Sequence, residues 1–136
     1  AARTKGTQLS GHRVLLAEDN DLNAAIAQIF LENWGMSVQR VVNGAEAVKV
    51  FSEAPEGSFD VILMDIMMPV MNGLTAAKAI RALARPDAGT IPIIALTANA
   101  FSEDVQKCLD AGMNAHIAKP LDVNAMEETL KSVLDR

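Results

Sequence analysis

A chain of 136 residues, half of them hydrophobic and 21% charged, is the size and make-up of one globular domain with a sizeable core. Its formal net charge of -5 argues against direct nucleic-acid binding and against contact with an anionic membrane, and no apolar run nears the ~20 residues of a spanning helix. There is no signal-peptide pattern, and the single cysteine, Cys108, cannot form an internal disulfide, so the expected compartment is the reducing cytoplasm.

Residues 1–11, AARTKGTQLSG, are polar and unpatterned. They read as a linker or the cut end of a longer chain, with the domain proper running over 12–136. From Arg13 onward two patterns alternate. Short apolar runs of strand length occur at Val14–Ala17, Val38–Val42, Val61–Met64, Ile93–Leu96 and Ala115–Ala118. Between them lie stretches with helical spacing. The expected core stripes are Leu22, Ile26, Ile29 and Phe30; Ala45, Val48 and Phe51; Ala76, Ile80, Leu83 and Ala84; Val105, Cys108 and Leu109; and Val123, Met126, Leu130, Val133 and Leu134. Asn43 with Glu46 three residues on has the form of a capping box, and Gly35 and Gly112 stand where helices end. Trp34 is expected to seal the end of the first helix.

Five strands, each followed by a helix, make an α/β fold of the (βα)5 kind. Runs apolar throughout suit a parallel sheet covered on both faces, and right-handed crossovers give a doubly wound three-layer sandwich. In such sheets ligands bind outside the carboxyl ends of the strands, where the strand order reverses.

Polar residues interrupt the apolar runs at those ends. The first run stops at Glu18-Asp19-Asn20, the third at Asp65, the fourth at Thr97-Ala98 and the fifth at Lys119-Pro120. Three carboxylates, a hydroxyl and an amine are thus expected to meet in one crevice. Two unit charges about 4 Å apart interact by about 4 kcal/mol at an effective dielectric near 20, so three carboxylates repel by roughly 12 kcal/mol before relaxation. One lysine offsets that only if it touches all three, and a divalent cation doubles the gain. Hard oxygen ligands favour Mg2+, and no Cys/His cluster competes for zinc. Mg2+ with few protein ligands commonly serves a phosphoryl group, and a carboxylate beside it can act as nucleophile. Asp65 is then the expected phosphoacceptor.

The stretches LLAEDNDLN, ILMDIMMPVMNG, IIALTANA and IAKPL, in that order, resemble the receiver domain of two-component response regulators over nearly all of residues 12–136. The AEDN and ALTANA forms look most like receivers of hybrid sensor histidine kinases. The resemblance implies that Asp65 takes its phosphoryl group from a histidine on a partner kinase or phosphotransfer domain. It implies that Asp19 and Glu18 hold Mg2+, with the backbone carbonyl of Met67 as a further ligand. It makes Thr97 the switch hydroxyl, next to Ala98, and Lys119 the phosphate-binding amine with a cis bond to Pro120. Pro69 and Gly73 shape the loop after the acceptor strand. The isolated domain is its own substrate rather than an enzyme in the ordinary sense, and weak homodimers are common in the family. His116 stands where the family often has Tyr or Phe, and is expected to switch between exposed and inward rotamers. Two other readings compete. A haloacid-dehalogenase-like phosphatase needs an aspartate two residues after the nucleophile, where this chain has Met67. A flavodoxin-like FMN binder needs a Ser/Thr/Gly-rich phosphate loop, where this chain has EDNDLN.

Overall fold

The computed structural model describes residues 9–98 and 102–134, with side chains from 105 onward in the second stretch. Residues 1–8 of the N-terminal stretch, and Asn99 and Ala100 of the third motif, lie outside the described residues. Strands β1 (Arg13–Ala17), β2 (Ser37–Val41), β3 (Val61–Asp65), β4 (Ile93–Thr97) and β5 (Ala115–Ala118) alternate with helices α1 (Asp21–Asn33), α2 (Gly44–Glu53), α3 (Gly73–Arg81), α4 (Ser102–Asp110) and α5 (Val123–Leu134). A short 3-10 turn, Pro86–Gly89, precedes β4. All strand pairs are parallel, in the order β2-β1-β3-β4-β5. The doubly wound (βα)5 sandwich expected from the sequence is the fold observed. No helix among the described residues is long and apolar enough to cross a membrane.

The pleat sorts the apolar strands into two cores. Leu15, Ala17, Ile62, Met64, Ile93 and Ala95 face α2, α3 and α4, burying Ala47, Phe51, Ala76, Ala77, Ile80 and Cys108. Val14, Leu16, Val61, Leu63, Ile94, Leu96 and Ile117 face α1 and α5, burying Ala24, Ala27, Leu31, Met126, Leu130 and Val133. Because both faces are covered, the central strands carry no polar alternation.

Helix ends follow their local chemistry. The Asn43 side chain accepts from the Glu46 N–H at 2.8 Å, and the Glu46 carboxylate reaches back to the Val42 N–H at 3.0 Å. At the end of α1 the Met36 N–H bonds the Leu31 carbonyl across Gly35, whose φ of +85° a side chain would strain. The same closure joins Met113 to Cys108 across Gly112, at φ +97°. Trp34 is the residue that ends α1 and stacks on Phe30, with ring centroids 6.3 Å apart.

The expected stripe on α1 is overturned in part: Phe30 packs, partly buried, against the α1/α5 core, but Leu22 and Ile29 do not. Leu22 and Ile29 are 68% and 58% exposed, and the buried face is Ala24, Ala27 and Leu31, on the opposite side at about 100° per residue. Small alanines beside Leu31 let the helix lie close to the sheet, and Leu22 and Ile29 are left outside. In α4 Leu109 is likewise exposed while Cys108 is buried, and α3 ends before Leu83 and Ala84, of which Ala84 is exposed. Leu9, inside the stretch expected to be linker, is buried against the α1/α5 core. Gly11 bonds the Gly35 carbonyl at 2.9 Å, which ties this segment to the end of α1.

Candidate functional site at the carboxyl edge of the sheet

The chain leaves β1 for one side of the sheet, to β2, and crosses back to β3 on the other. The order therefore reverses between β1 and β3, where a doubly wound sheet opens its crevice. Glu18 follows the last residue of β1, and Asp65 is the last residue of β3. Both are buried, at 1% and 3% exposure, while Asp19 is exposed. Carboxylate oxygens of Glu18, Asp19 and Asp65 all lie within 4.8 Å of one another.

Lys119, just past β5, reaches across to this cluster. Its Nζ sits 2.8 Å from Asp65 Oδ2 and 3.1 Å from Glu18 Oε1. The Asp65 Oδ1 accepts from the Met67 N–H at 3.2 Å, and Glu18 Oε2 accepts from the Asn20 N–H at 3.1 Å. Burial pushes the Glu18 carboxyl above its ordinary pKa, and the neighbouring Asp65 pushes it the same way. The Asn20 N–H and Lys119 pull against them without prevailing. For Lys119, burial alone favours the neutral amine, but the bonds to Asp65 and Glu18 prevail and hold its pKa above the ordinary lysine value. One amine thus serves two buried acids, with a third acid at the mouth. This oxygen-rich, acid-heavy donor set fits a hard divalent cation such as Mg2+.

Thr97, Ala98 and Pro120, also picked out from the sequence, stand on the same rim, while His116 lies mid-strand. Thr97 ends β4 and is buried, and its carbonyl accepts from the Lys119 N–H at 2.8 Å. Ala98 follows it and is exposed. The Lys119-Pro120 peptide is cis. His116 lies half-buried on β5, paired in register with Ala95. The loop after Asp65 doubles back, with the Gly73 N–H bonding the Ile66 carbonyl at 2.9 Å. A side chain at Gly73 would collide with the Asp65 carbonyl, so only glycine lets α3 start so close to β3. Within the loop Met71 bonds back to the Pro69 carbonyl at 2.7 Å across Val70, a β-branched residue at φ +69°. Met67 and Val70 project into solvent beside Asp65.

Arg40 belongs to the site but is not marked in the sequence. It lies on β2, paired with Leu16, one step from the strand end. Its Nε and Nη2 donate to the Glu18 carbonyl at 3.0 and 2.8 Å, and Nη1 donates to Asp21 at 2.9 Å. A lone arginine beside Gln39 reads as an exposed edge residue. The available signal was the β1/β2 register, which places it next to the acidic strand end.

The sequence profile of the response regulator receiver domain family matches residues 14–131. A hybrid signal transduction histidine kinase of Dictyostelium discoideum is 35% identical over 129 residues, covering 93% of this chain and 7% of that protein. Histidine kinase 1 of Arabidopsis thaliana is 37% identical over 158 residues, covering 92% and 13%. The chain therefore spans a small part of these relatives. Among solved structures, the receiver domain of a Pseudomonas aeruginosa sensor histidine kinase, with magnesium coordinated in its active-site cleft, superposes with a TM-score of 0.83. It is 36% identical, and the match covers 93% of this chain and all of that one. The receiver domain of a Saccharomyces cerevisiae response regulator, solved with a histidine phosphotransfer protein, belongs to a match with a TM-score of 0.76 and 32% identity, over 87% of this chain and 85% of that one. An acidic crevice at the β1/β3 reversal, bridged by a lysine from the end of β5, and a profile match over most of the length lead to one conclusion: the chain belongs to the response regulator receiver domain family.

Proposed function

We propose that Asp65 is the phosphoacceptor of a phosphorelay receiver module carried by a hybrid histidine kinase. The observation that carries this reading is the Lys119 bridge between Glu18 and Asp65, with Asp19 within 4.8 Å of both. A buried nucleophile already held by an amine is ready to receive an anionic group. An Asp65 oxygen attacks the phosphorus of a phosphohistidine, a new O–P bond forms, the P–N bond breaks, and the departing imidazole nitrogen takes a proton. Lys119 then binds a phosphoryl oxygen, and the Thr97 hydroxyl turns to another. Glu18, Asp19, Asp65 and the Met67 carbonyl would hold Mg2+, which when bound neutralises charge developing on the phosphoryl oxygens. His116 is the side chain whose rotamer would follow Thr97. Pro69, Gly73 and Pro120 shape the loops that hold this geometry.

The donor is a histidine kinase or a histidine phosphotransfer domain, and the yeast receiver was solved with a partner of the second kind. Exposed Leu22 on α1, and Met67 and Val70 beside the acceptor, give such a partner apolar footing around an acidic mouth. Intact mass after incubation with Mg2+ and acetyl phosphate tests the reading. The expected result is addition of one phosphoryl group, abolished by chelator and by Asp65→Asn. Equal labelling of Asp65→Asn would overturn it.

A further inference from the structure

We infer that Arg40 is a positioning residue for magnesium, acting through the Glu18–Asp19 peptide. This rests on the magnesium reading of the acidic crevice. The three carboxylates are held very differently. Glu18 is fixed by Lys119 and by the Asn20 N–H, and Asp65 by Lys119 and by the Met67 N–H. Among the described residues, nothing hydrogen-bonds or ion-pairs with the Asp19 side chain, so its place depends on its backbone.

That backbone is clamped on both sides of the Glu18 Cα. The Glu18 N–H bonds the Val41 carbonyl at 3.1 Å, which continues the β1/β2 ladder one residue past β1. The Glu18 carbonyl accepts two N–H groups from the Arg40 guanidinium, at 3.0 and 2.8 Å. The third arm of the fork reaches Asp21, the first residue of α1, at 2.9 Å. A planar fork fixes both the tilt and the direction of the carbonyl it grips. The 18–19 peptide plane is set from its carbonyl side, and with it the direction in which Asp19 leaves the chain.

Positioning and simple electrostatics predict opposite signs. Arg40 is a cation next to an acidic cluster, so if only its charge mattered, removing it would tighten Mg2+ binding. If its grip on the peptide matters more, removing it loosens Asp19 and weakens binding. Partners that orient metal ligands typically account for about 10- to 100-fold in affinity. Isothermal titration of Mg2+ into the wild type, Arg40→Met, Arg40→Lys and Asp21→Asn distinguishes the two, with thermal melts in chelator reporting the fold. We expect roughly 10-fold weaker binding in Arg40→Met, and clear weakening in Arg40→Lys, which keeps the charge but loses the fork. Asp21→Asn, which leaves both bonds to the Glu18 carbonyl, should change affinity by about twofold or less. Unchanged or tighter binding in Arg40→Met, or unchanged binding in Arg40→Lys, overturns the inference. A wild type that takes up no Mg2+ would instead overturn the magnesium reading beneath it.

Discussion

The two edges of the sheet treat charge in opposite ways. At the amino edge three arginines are matched to acceptors. Arg13 bonds Asp60 and the Gly57 carbonyl. Arg85 grips Asp87 with two arms of its fork, and its Nη1 caps the end of α2 through the Phe51 and Ala54 carbonyls while the guanidinium lies over the Phe51 ring. Arg81, half-buried, bonds the Gly112 and Ala88 carbonyls and the Asn114 side chain, which in turn accepts the first N–H of β4. Burial lowers the Arg81 pKa from its ordinary value, and its partners are neutral oxygens rather than an acid. At the carboxyl edge one lysine serves two buried acids, and a third stands beside them. The amino edge is built to hold the strands together. The carboxyl edge keeps an excess of negative charge that a divalent cation can neutralise.

Breaking each edge should therefore give different symptoms. Removing Lys119 has the largest expected effect on stability, because Lys119→Met leaves two buried acids without their cation. Denaturant unfolding in chelator should show a loss of about 3 kcal/mol. Added Mg2+ should recover part of that loss, which no amino-edge variant would show. Arg81→Ala comes next. It removes a donor from three oxygens, of which Asn114 Oδ1 keeps the Ile93 N–H, and a loss of about 2 kcal/mol is expected, with phosphoryl labelling per folded molecule unchanged.

The smallest and sharpest contrast is in pH. Asp87 is held below its ordinary pKa, chiefly by the Arg85 bond and against its own burial. Its contribution is present above the unfolded carboxylate pKa near 3.8 and is lost as pH falls through the lower native value. Glu18 is raised instead, so the native state holds its proton more tightly than the unfolded chain. Without Mg2+, its effect is a loss of stability as pH rises from about 4.5 through the raised native value. Melting curves from pH 3 to 7 should show Asp87→Asn flattening the acid side and Glu18→Gln flattening the opposite slope. Slopes of the same sign for both would break the comparison.

What the sequence made legible follows the same division. Strand ends could be read because a polar residue after a fully apolar run marks where the strand leaves the sheet, and Glu18, Asp65, Thr97 and Lys119 all do so. The phase of α1 could not be read. Leu22, Ile26 and Ile29 obey the helical period as well as Ala24, Ala27 and Leu31 do, and only contact with the sheet chooses the small face. Arg40 and Arg81 were hidden for another reason. Apart from Asp21, their partners are backbone carbonyls or an amide, up to 33 residues away, which carry no sequence signal. Leu9 was hidden by its polar neighbours.

The place where magnesium binds is the most direct test of the acidic crevice. A crystal structure of the domain grown with Mg2+ should place the ion among Glu18, Asp19, Asp65 and the Met67 carbonyl, with Lys119 kept beside Asp65. Magnesium bound elsewhere, with Asp19 turned away from Asp65, would contradict it.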